Sequence, residues 1–300
     1  MRPHRTLVVA AVLALVAGSS IAVAAVSAAP PAPVPCATSA GACWKPPLDA
    51  RWQYQLQPMA QYASTGGLNA DICAVPSTGG ACVHPAVFDF DLYDVDGVTP
   101  NTTGTAAVHT RGARAICYVS AGTWEDWRPD AGQFPASVKG SKNGWPGERW
   151  LDIRQTSVLI PIMAARADKC RQAGFDGVEW DNVDGYSNRS GFPLTAADQL
   201  AYNASLANLA HQRGLTVAIK NDVEQLADLA PYFDYAVNEQ CQQYRECGGY
   251  DGPFIGAGKA VFQVEYKLSL AKFCPPANAA NRNAILKDFD LFDTPYTPCR

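Results

Sequence analysis

Short runs of β-branched and aromatic residues recur along the chain from residue 52 onward, and turn residues or helical stretches separate most of them. Such runs predict strands, whereas the periodicity and end signals of 161–173, 195–214 and 222–229 predict helices. The last predicted strand is also compatible with a helix. The eight predicted strands span 52–57, 87–92, 115–120, 177–182, 216–221, 235–240, 260–266 and 284–289.

The alternation of strands and helices predicts an α/β fold with a parallel sheet, and eight repeats predict closure into a single (β/α)8 TIM barrel. A doubly wound open sheet is the alternative. That fold usually carries a glycine-rich phosphate loop after its first strand, and the sequence contains neither this loop nor a P-loop. We therefore expect one barrel domain over 50–300, preceded by a Pro-rich linker at 29–49.

The connection after the third predicted strand is unusually long. Residues 121–160 show no clear periodicity, whereas connections in such barrels usually have a few residues. Indole rings offer flat apolar faces that suit the C–H faces of pyranose rings, so the loop indicates a sugar substrate and Trp124 is a candidate contact. The alternative is that the indoles fix the loop to the barrel, and we expect about half of them to do only that. The loop holds four of the seven tryptophans, Trp124, Trp127, Trp145 and Trp150.

Residues 1–28 have the pattern of a signal peptide. Two arginines precede an apolar run at 6–26, and the small residues Ser27 and Ala28 follow it. A membrane anchor is the alternative, because the run is about long enough to span a bilayer. The small residues and the Pro-rich segment after them favour cleavage. We expect a secreted, extracellular protein with no stable membrane association.

An even number of cysteines behind an export signal predicts disulfides. No Cys-x-x-Cys pair and no histidine cluster supports a zinc site. Spacing leaves the connectivity open, but pairs 36–43, 73–82, 241–247 and 274–299 would each close a local loop. Strand parity points residue 117 outward toward the helix that carries residue 170, which supports a fifth pair. The ten cysteines are Cys36, Cys43, Cys73, Cys82, Cys117, Cys170, Cys241, Cys247, Cys274 and Cys299.

The composition is that of a globular protein, since 48% of the residues are hydrophobic and 17% are charged. The formal net charge is −4 and there is no basic run. The chain therefore lacks the electrostatic footprint of a nucleic-acid binder, and it suits a neutral or cationic partner better. We expect a monomer with no nucleic-acid partner.

Ionisable and amide side chains cluster at the ends of the predicted strands, where barrel enzymes carry their chemistry. Any single carboxylate is explained as a helix cap or a structural ion pair. Five strands that all end this way indicate a carboxylate-rich pocket instead, because burying unpaired charge costs several kcal/mol. The candidates are Asp89, Asp91 and Asp94 (strand 2), Glu179, Asp181 and Asn182 (strand 4), Lys220 and Asn221 (strand 5), Asn238 and Glu239 (strand 6), and Glu265 and Tyr266 (strand 7).

Two positioned carboxylates are the apparatus of glycoside hydrolysis, one as general acid and the other as nucleophile or base. We predict that Asp181 and Glu239 are this pair. Strands 4 and 6 share parity, which places their corresponding inward residues in one layer of a barrel. The competing pair is Asp89 or Asp91 with Glu265. Neither a serine elbow nor a His-Glu-x-x-His motif occurs, and no metal or organic cofactor is required.

Seven runs of the sequence resemble glycoside hydrolase family 114: WQYQLQ at 52–57, FDFDLYD at 88–94, CYVSAG at 117–122, GFDGVEWDN at 174–182, AIKN at 218–221, NEQC at 238–241 and FQVEY at 262–266. The resemblance covers roughly residues 50–290. It implies a secreted (β/α)8 endo-α-1,4-polygalactosaminidase that acts on galactosamine-containing exopolysaccharide. It also implies that Asp181 and Glu239 are the catalytic acids and that the route is retaining.

The other candidates then take substrate-binding roles. Charge complementarity would match the carboxylates of Asp89, Asp91, Glu179 and Glu265 to a polymer that carries ammonium groups. Asn182 and Lys220 would hold the Asp181 carboxylate, and Tyr118, Lys220 and Asn221 would bind ring hydroxyls. The alternatives are a carbohydrate-binding barrel that does not cut its ligand and a hydrolase of another α-linked polysaccharide.

Overall fold

A computed structural model describes residues 29–39 and 41–300, so the predicted signal peptide lies outside the described residues. Eight parallel strands are hydrogen-bonded to one another in chain order, and Tyr296–Pro298 adds an antiparallel ninth strand beside the last of them. The eight are β1 (Trp52–Gln55), β2 (Val87–Asp91), β3 (Arg114–Ser120), β4 (Gly177–Asp181), β5 (Thr216–Lys220), β6 (Tyr235–Glu239), β7 (Val261–Glu265) and β8 (Asn283–Lys287).

The sheet closes where β1 lies beside β8. The Trp52 indole donates a hydrogen bond of 2.8 Å to the backbone carbonyl of Asn283, and the Gln53 amide donates one of 2.8 Å to the carbonyl of Asp293. This arrangement confirms the predicted barrel, and the ambiguous eighth run is a strand. The interior below the strand ends is aromatic, since Trp52 stacks on Phe262 with ring centroids 5.0 Å apart.

The helices pack outside the barrel as α1 (Thr102–Thr110), α2 (Thr156–Gln172), α3 (Ala196–His211), α4 (Leu226–Leu229), α5 (Cys241–Tyr244) and α6 (Leu270–Ala279). α3 begins with a capping box, in which the Thr195 hydroxyl and the Asp198 carboxylate each accept a backbone N–H of the other residue. α2 begins five residues before the prediction, and Pro161 lies inside it. The connection from β1 to β2 holds the 3-10 helix Ala60–Thr65. No helix in the described part of the chain is both long and apolar enough to cross a bilayer.

The long connection after β3 is folded, although its sequence shows no periodicity. It contains a three-stranded antiparallel sheet of Thr123–Glu125, Lys139–Lys142 and Glu148–Leu151. Strands of three or four residues are too short to give a periodic signal. Arg166 of α2 fixes this connection to the barrel. Its guanidinium donates two hydrogen bonds of 2.8 Å to Asp130 in the connection and a third to the backbone carbonyl of Ser120 in β3.

The Pro-rich segment predicted as a linker packs against α3. The Asn208 side chain accepts a hydrogen bond from the backbone N–H of Val34 and donates one to the carbonyl of Ala32, each 2.8 Å long. A short hairpin of Ala37–Thr38 and Gly41–Ala42 follows. The segment is thereby fixed to the outside of the barrel.

All ten cysteines are paired in the arrangement that the sequence predicted. Four disulfides close local loops, and the fifth joins Cys117 of β3 to Cys170 of α2. Cys117 leaves the strand on its outer face and meets the helix that covers it, as strand alternation requires. The local pairs are Cys36–Cys43, Cys73–Cys82, Cys241–Cys247 and Cys274–Cys299.

Candidate active site

A cavity of about 540 Å³ opens at the C-terminal ends of the barrel strands. Side chains at the ends of β1 to β6 form its floor, and the folded loop after β3 and the segment after β8 form its rim. Seven of the eleven predicted site residues line it: Asp91, Tyr118, Asp181, Asn182, Lys220, Asn221 and Glu239.

Lys220, at the end of β5, occupies the centre of the floor. Its ammonium nitrogen lies 3.0 Å from Asp181 Oδ1 and 3.3 Å from Glu239 Oε2. A third carboxylate oxygen, Glu179 Oε1, lies 3.5 Å away. Burial disfavours the charge on this ammonium, but the carboxylates outweigh burial and raise the pKa of Lys220 well above its ordinary value. Lys220 is therefore a fixed cation between the two predicted catalytic carboxylates.

Asp181 ends β4 and is held on both oxygens. Tyr118 of β3 donates a hydrogen bond of 2.8 Å to Oδ2, and Asn182 donates one of 3.2 Å to the same oxygen. Lys220 donates to Oδ1. These donors come from β3, from β5 and from the residue that follows β4, so the orientation of the carboxylate is set by the barrel.

Glu239 ends β6 and faces Asp181 across Lys220. The hydroxyl of Tyr266 donates a hydrogen bond to Glu239 Oε1. The backbone N–H of Glu239 donates one of 3.0 Å to the side-chain oxygen of Asn221, a residue with a positive φ of 50° directly after β5. Asparagine adopts this left-handed conformation more readily than most residues. Asn221 thus links the ends of β5 and β6.

Asp89 and Glu179, predicted to bind substrate, do not line the cavity. They lie below its floor, where Asp89 is 1% exposed and Glu179 is fully buried. Burial and the charge of Glu179 raise the pKa of Asp89 well above its ordinary value. Burial likewise raises the pKa of Glu179 to about 7, against the opposing effect of Lys220.

Asp91 lines the cavity, but its carboxylate is already paired with the guanidinium of Arg128. The two guanidinium nitrogens Nη1 and Nη2 each donate a hydrogen bond of 2.7 Å to one oxygen of Asp91. Arg128 also pairs with Glu125 at 2.7 Å. Asp91 therefore anchors the loop after β3, and the sequence offered no sign of this partner thirty-seven positions away.

Glu265 lies outside the barrel interior, contrary to the competing acid–base pair. Phe262 of the same strand packs on Trp52 in the interior, so alternation turns Glu265 outward and Tyr266 inward. The Glu265 carboxylate accepts hydrogen bonds from the backbone N–H of Gln242 and from the side chain of Gln263, at 2.8 and 3.0 Å.

The predicted contact Trp124 also lies away from the cavity. Its indole donates a hydrogen bond of 3.0 Å to the carbonyl of Ala131, and the ammonium of Lys139 lies over its ring. The other three tryptophans of the loop line the cavity. Of the four indoles, about half of which were expected only to fix the loop, Trp124 alone lies away from the cavity.

Sequence reasoning missed two groups of lining residues. Phe289, after β8, stacks on Trp145 with ring centroids 5.2 Å apart and planes 13° from parallel. Glu148 lies in the loop sheet opposite Glu125. Burial and the charge of Glu125 raise the pKa of Glu148 to about 7. A single exposed phenylalanine and a carboxylate in an irregular loop gave no signal in the sequence.

One set of side chains in the described part of the chain has metal-ligand spacing, namely Cys241, Cys247 and Glu265. The two sulfurs of this set are bonded to each other. A disulfide does not supply thiolate ligands, so these residues do not fit a metal centre.

The family model of glycoside-hydrolase family GH114 matches residues 34–300. The chain belongs to glycoside-hydrolase family GH114. Among solved structures, the crystal structure of Aspergillus fumigatus Ega3 in complex with galactosamine is 32% identical, with a TM-score of 0.69 over 83% of this chain and 95% of Ega3. This membership makes the protein a glycosidase. Its cavity lies at the C-terminal ends of the strands, the end at which barrel enzymes carry their active sites.

Two further proteins are similar. The glycoside hydrolase domain of PelA from Pseudomonas aeruginosa is 13% identical, with a TM-score of 0.56 over 84% of this chain and 98% of that domain, which shows the shared fold. An uncharacterized protein of Deinococcus radiodurans is 27% identical over 213 residues, which are 61% of this chain and 67% of that protein.

Proposed function

We propose that this GH114 protein is a retaining, endo-acting hydrolase of α-1,4-linked galactosamine polymers, with Asp181 as nucleophile and Glu239 as general acid and base. One observation carries the proposal. The carboxylates of Asp181 and Glu239 come from β4 and β6 and meet a single buried ammonium on the cavity floor. The Asp89–Glu265 and Asp91–Glu265 alternatives lack this arrangement, because Glu265 is turned out of the barrel.

The spacing of the two carboxylates is compatible with retention. Asp181 Oδ1 and Glu239 Oε2 both contact Lys220 Nζ, so these two oxygens lie at most about 6.3 Å apart. Retaining enzymes have carboxyl groups about 5–5.5 Å apart, and inverting enzymes need about 6.5–9.5 Å to admit water. The limit on the nearest oxygens leaves room for the retaining spacing.

In the proposed reaction, protonated Glu239 donates its proton to the glycosidic oxygen while Asp181 attacks the anomeric carbon. The C–O bond to the leaving sugar breaks, and an ester bond to Asp181 forms. Glu239, now ionised, then removes a proton from water, whose oxygen attacks the same carbon and releases Asp181. Tyr118, Asn182 and Lys220 hold Asp181 during both steps, and Tyr266 orients Glu239.

The charge of the cavity supports a cationic sugar. Its lining contains eight carboxylate residues and two cationic ones, Arg128 and Lys220. A low-dielectric cleft lined by one sign of charge concentrates ligands of the other sign. Free galactosamine units carry ammonium groups at neutral pH, and Ega3 was solved with galactosamine. We therefore propose a polymer that contains unacetylated galactosamine as the substrate.

Export follows from the signal-like segment 1–28 and from the five disulfides, which persist in oxidising compartments. Expression of the full chain in a host that exports proteins tests this proposal. The mature protein should appear in the medium with its N-terminus at residue 29. Retention of the chain in the membrane fraction would instead support an anchor.

The decisive experiment is digestion of an α-1,4-galactosamine polymer with measurement of new reducing ends. Wild type should release oligomers, and Asp181→Asn and Glu239→Gln should each lose at least about 1,000-fold in kcat. The exposed Asp228 supplies a control, because Asp228→Asn makes the same chemical change far from the cavity. Proton NMR of the first anomer formed reports retention or inversion.

Each outcome discriminates between functions. Binding of the polymer with no new ends would favour a non-catalytic carbohydrate-binding barrel. Cleavage of another α-linked polysaccharide in place of the galactosamine polymer would keep the chemistry and change the substrate. A first-formed β anomer would show inversion and remove Asp181 as nucleophile.

A further inference from the structure

Two carboxyl groups meet in the barrel interior directly below the cavity floor. Asp89 of β2 and Glu179 of β4 are close enough for a hydrogen bond between their side chains. Neither oxygen of Asp89, nor Glu179 Oε2, accepts a hydrogen bond from a donor in the described part of the chain. Two buried carboxylates with donors to only one of their four oxygens cannot both stay ionised, because each desolvated charge and their mutual repulsion are costly.

The second oxygen of Glu179 connects this pair to the cavity. Glu179 Oε1 accepts a hydrogen bond of 3.2 Å from the hydroxyl of Tyr54, and that hydroxyl accepts one of 3.1 Å from the ammonium of Lys220. The same ammonium reaches Glu179 Oε1 and the two carboxylates on the floor. Asp89 is therefore separated from the reacting groups by Glu179 and Lys220.

We propose that Asp89 and Glu179 share one proton and that this dyad, through an ionised Glu179, positions Lys220 between Asp181 and Glu239. Asp89 carries the proton and donates it in a hydrogen bond to Glu179 Oε2. Glu179 then presents its charge to Lys220 from below. The inference rests on the proposed catalytic roles of Asp181 and Glu239, and it makes Asp89 and Glu179 positioning residues, since neither touches the cavity.

The groups around the dyad fit this division of charge. Burial and Glu179 raise the pKa of Asp89, and the hydrogen bond from Asp89 lowers the pKa of Glu179. Lys220 is the cation that faces the dyad, and the charges of Asp181 of β4 and Glu239 of β6 oppose a second negative charge there. Tyr54 of β1 and Tyr235 of β6 also face the pair and stay neutral, because burial and the carboxylates raise their pKa values well above the ordinary value.

The dyad has a consequence for catalysis. With Glu179 ionised, the charge of Lys220 is divided among three carboxylates. When Glu179 takes up a second proton, Lys220 pairs only with Asp181 and Glu239. That stronger pairing draws the Asp181 carboxylate toward the ammonium and lowers its nucleophilicity. Activity should therefore fall as the dyad becomes fully protonated.

A titration of carboxyl carbons by 13C NMR tests the shared proton without any substrate. The Asp89 signal, identified by its loss in Asp89→Asn, should have the chemical shift of a protonated carboxyl at pH 7. An Asp89 signal that titrates below pH 5 would overturn the proposal. Because the experiment involves no turnover, its result is independent of the proposed hydrolase activity.

Kinetics test the positioning role. Asp89→Asn keeps a hydrogen-bond donor to Glu179, whereas Asp89→Leu removes it. Without the donor the pKa of Glu179 rises. The acid limb of the pH profile of kcat/KM should therefore lie about one pH unit higher in Asp89→Leu than in Asp89→Asn. At pH 6 the leucine variant should be about tenfold slower, and the difference should vanish above about pH 8.5.

The same two substitutions in a Glu179→Gln background supply the control. In that background the side chain at position 179 is a neutral amide that does not titrate. The donor at position 89 therefore no longer affects its ionisation, and the two pH profiles should coincide. An equal displacement in both backgrounds would show that Asp89 acts by packing alone and would overturn the positioning role. Should Asp89→Leu fail to fold, the carboxyl titration of wild type against Asp89→Asn still decides the shared proton.

Discussion

The indole of Trp145 and the phenyl ring of Phe289 stack at 5.2 Å and join the loop after β3 to the segment after β8. Tyr266 packs edge-on against Phe289 and donates a hydrogen bond to Glu239. An aromatic surface therefore runs from the proposed general acid to the rim of the cavity. Both rim rings are about half exposed, at 43% and 52%, which leaves apolar area for a sugar ring.

Truncation of this surface should weaken substrate binding more than chemistry. Trp145→Ala and Phe289→Ala should each raise KM for a long galactosamine oligomer about 5- to 30-fold, because one aromatic contact contributes about 1–2 kcal/mol. The value of kcat should change less than about threefold. Phe292→Ala is the matched control, since Phe292 is an exposed phenylalanine of the same segment that does not line the cavity. An equal effect of Phe292→Ala would remove the specific role of the pair.

Lys220→Met should remove the cation from three carboxylates. We expect a loss of at least about 100-fold in kcat, since Asp181 and Glu239 lose their common partner. At pH 8 the free energy of unfolding should fall by about 3–5 kcal/mol, as expected when one partner of a buried ion pair is deleted. Lys220 lowers the pKa of Glu179, so without it Glu179 takes up a proton more readily and the deficit should shrink at pH 5.

Thermal unfolding at pH 5 and pH 8 measures this trend. Lys142→Met serves as the control, because Lys142 is exposed in the loop sheet away from the carboxylates. A deficit for Lys220→Met that is the same at both pH values would contradict the ionic role of Lys220.

Asp222→Asn should stabilise the protein at high pH. Burial, then the charges of Asp184 and Glu224, raise the pKa of Asp222 to about 8. The unfolded chain releases this proton near pH 4, so the native state loses stability as pH rises from about 4 to 8. The amide abolishes that loss and still accepts the hydrogen bond from Asn203. We expect a gain of up to about 5 kcal/mol at pH 8 and none at pH 4.

Melting temperatures of wild type and Asp222→Asn at the two pH values test the prediction. Asparagine also suits the left-handed backbone of this position, where φ is 49°. That backbone effect does not depend on pH, so only the difference between pH 8 and pH 4 counts. The exposed Asp228→Asn should show no such difference.

Loss of the Cys117–Cys170 disulfide should destabilise the protein more than loss of Cys36–Cys43. The two bonds span 53 and 7 residues, and chain entropy predicts contributions of about 4 and about 2 kcal/mol. Denaturant unfolding of the paired alanine variants measures both values. Peptide mapping under non-reducing conditions that joined Cys117 to another cysteine would contradict the pairing itself.

The sequence by itself determined the barrel and the strands whose ends carry the proposed chemistry. Eight strand-like runs, five of them with polar ends, were visible without any contact information, because side-chain alternation and turn residues are local properties. The same alternation placed Asp181 and Glu239 in one layer and turned Cys117 toward Cys170. Each of these inferences needed only the order of residues within a strand and the neighbouring helix.

Only the tertiary structure decided which polar strand residues reach the cavity. Alternation does not fix the depth of a residue in the barrel, so Asp89 and Glu179 were predicted on the floor but lie beneath it. The inward face of a strand is fixed only when a neighbour contacts it, and the packing of Phe262 turned Glu265 outward.

The rim was decided by contacts between distant segments. Arg128 occupies Asp91, and Phe289 stacks on Trp145, although neither pair lies close in the sequence. Local sequence patterns do not predict such pairs, because ion pairing and ring stacking depend on where the folded loops bring the side chains together. The order of the strands and the alternation of their side chains thus follow from the sequence alone. The depth of a side chain in the barrel, its interaction partner and its exposure are decided only when the barrel closes and its loops pack.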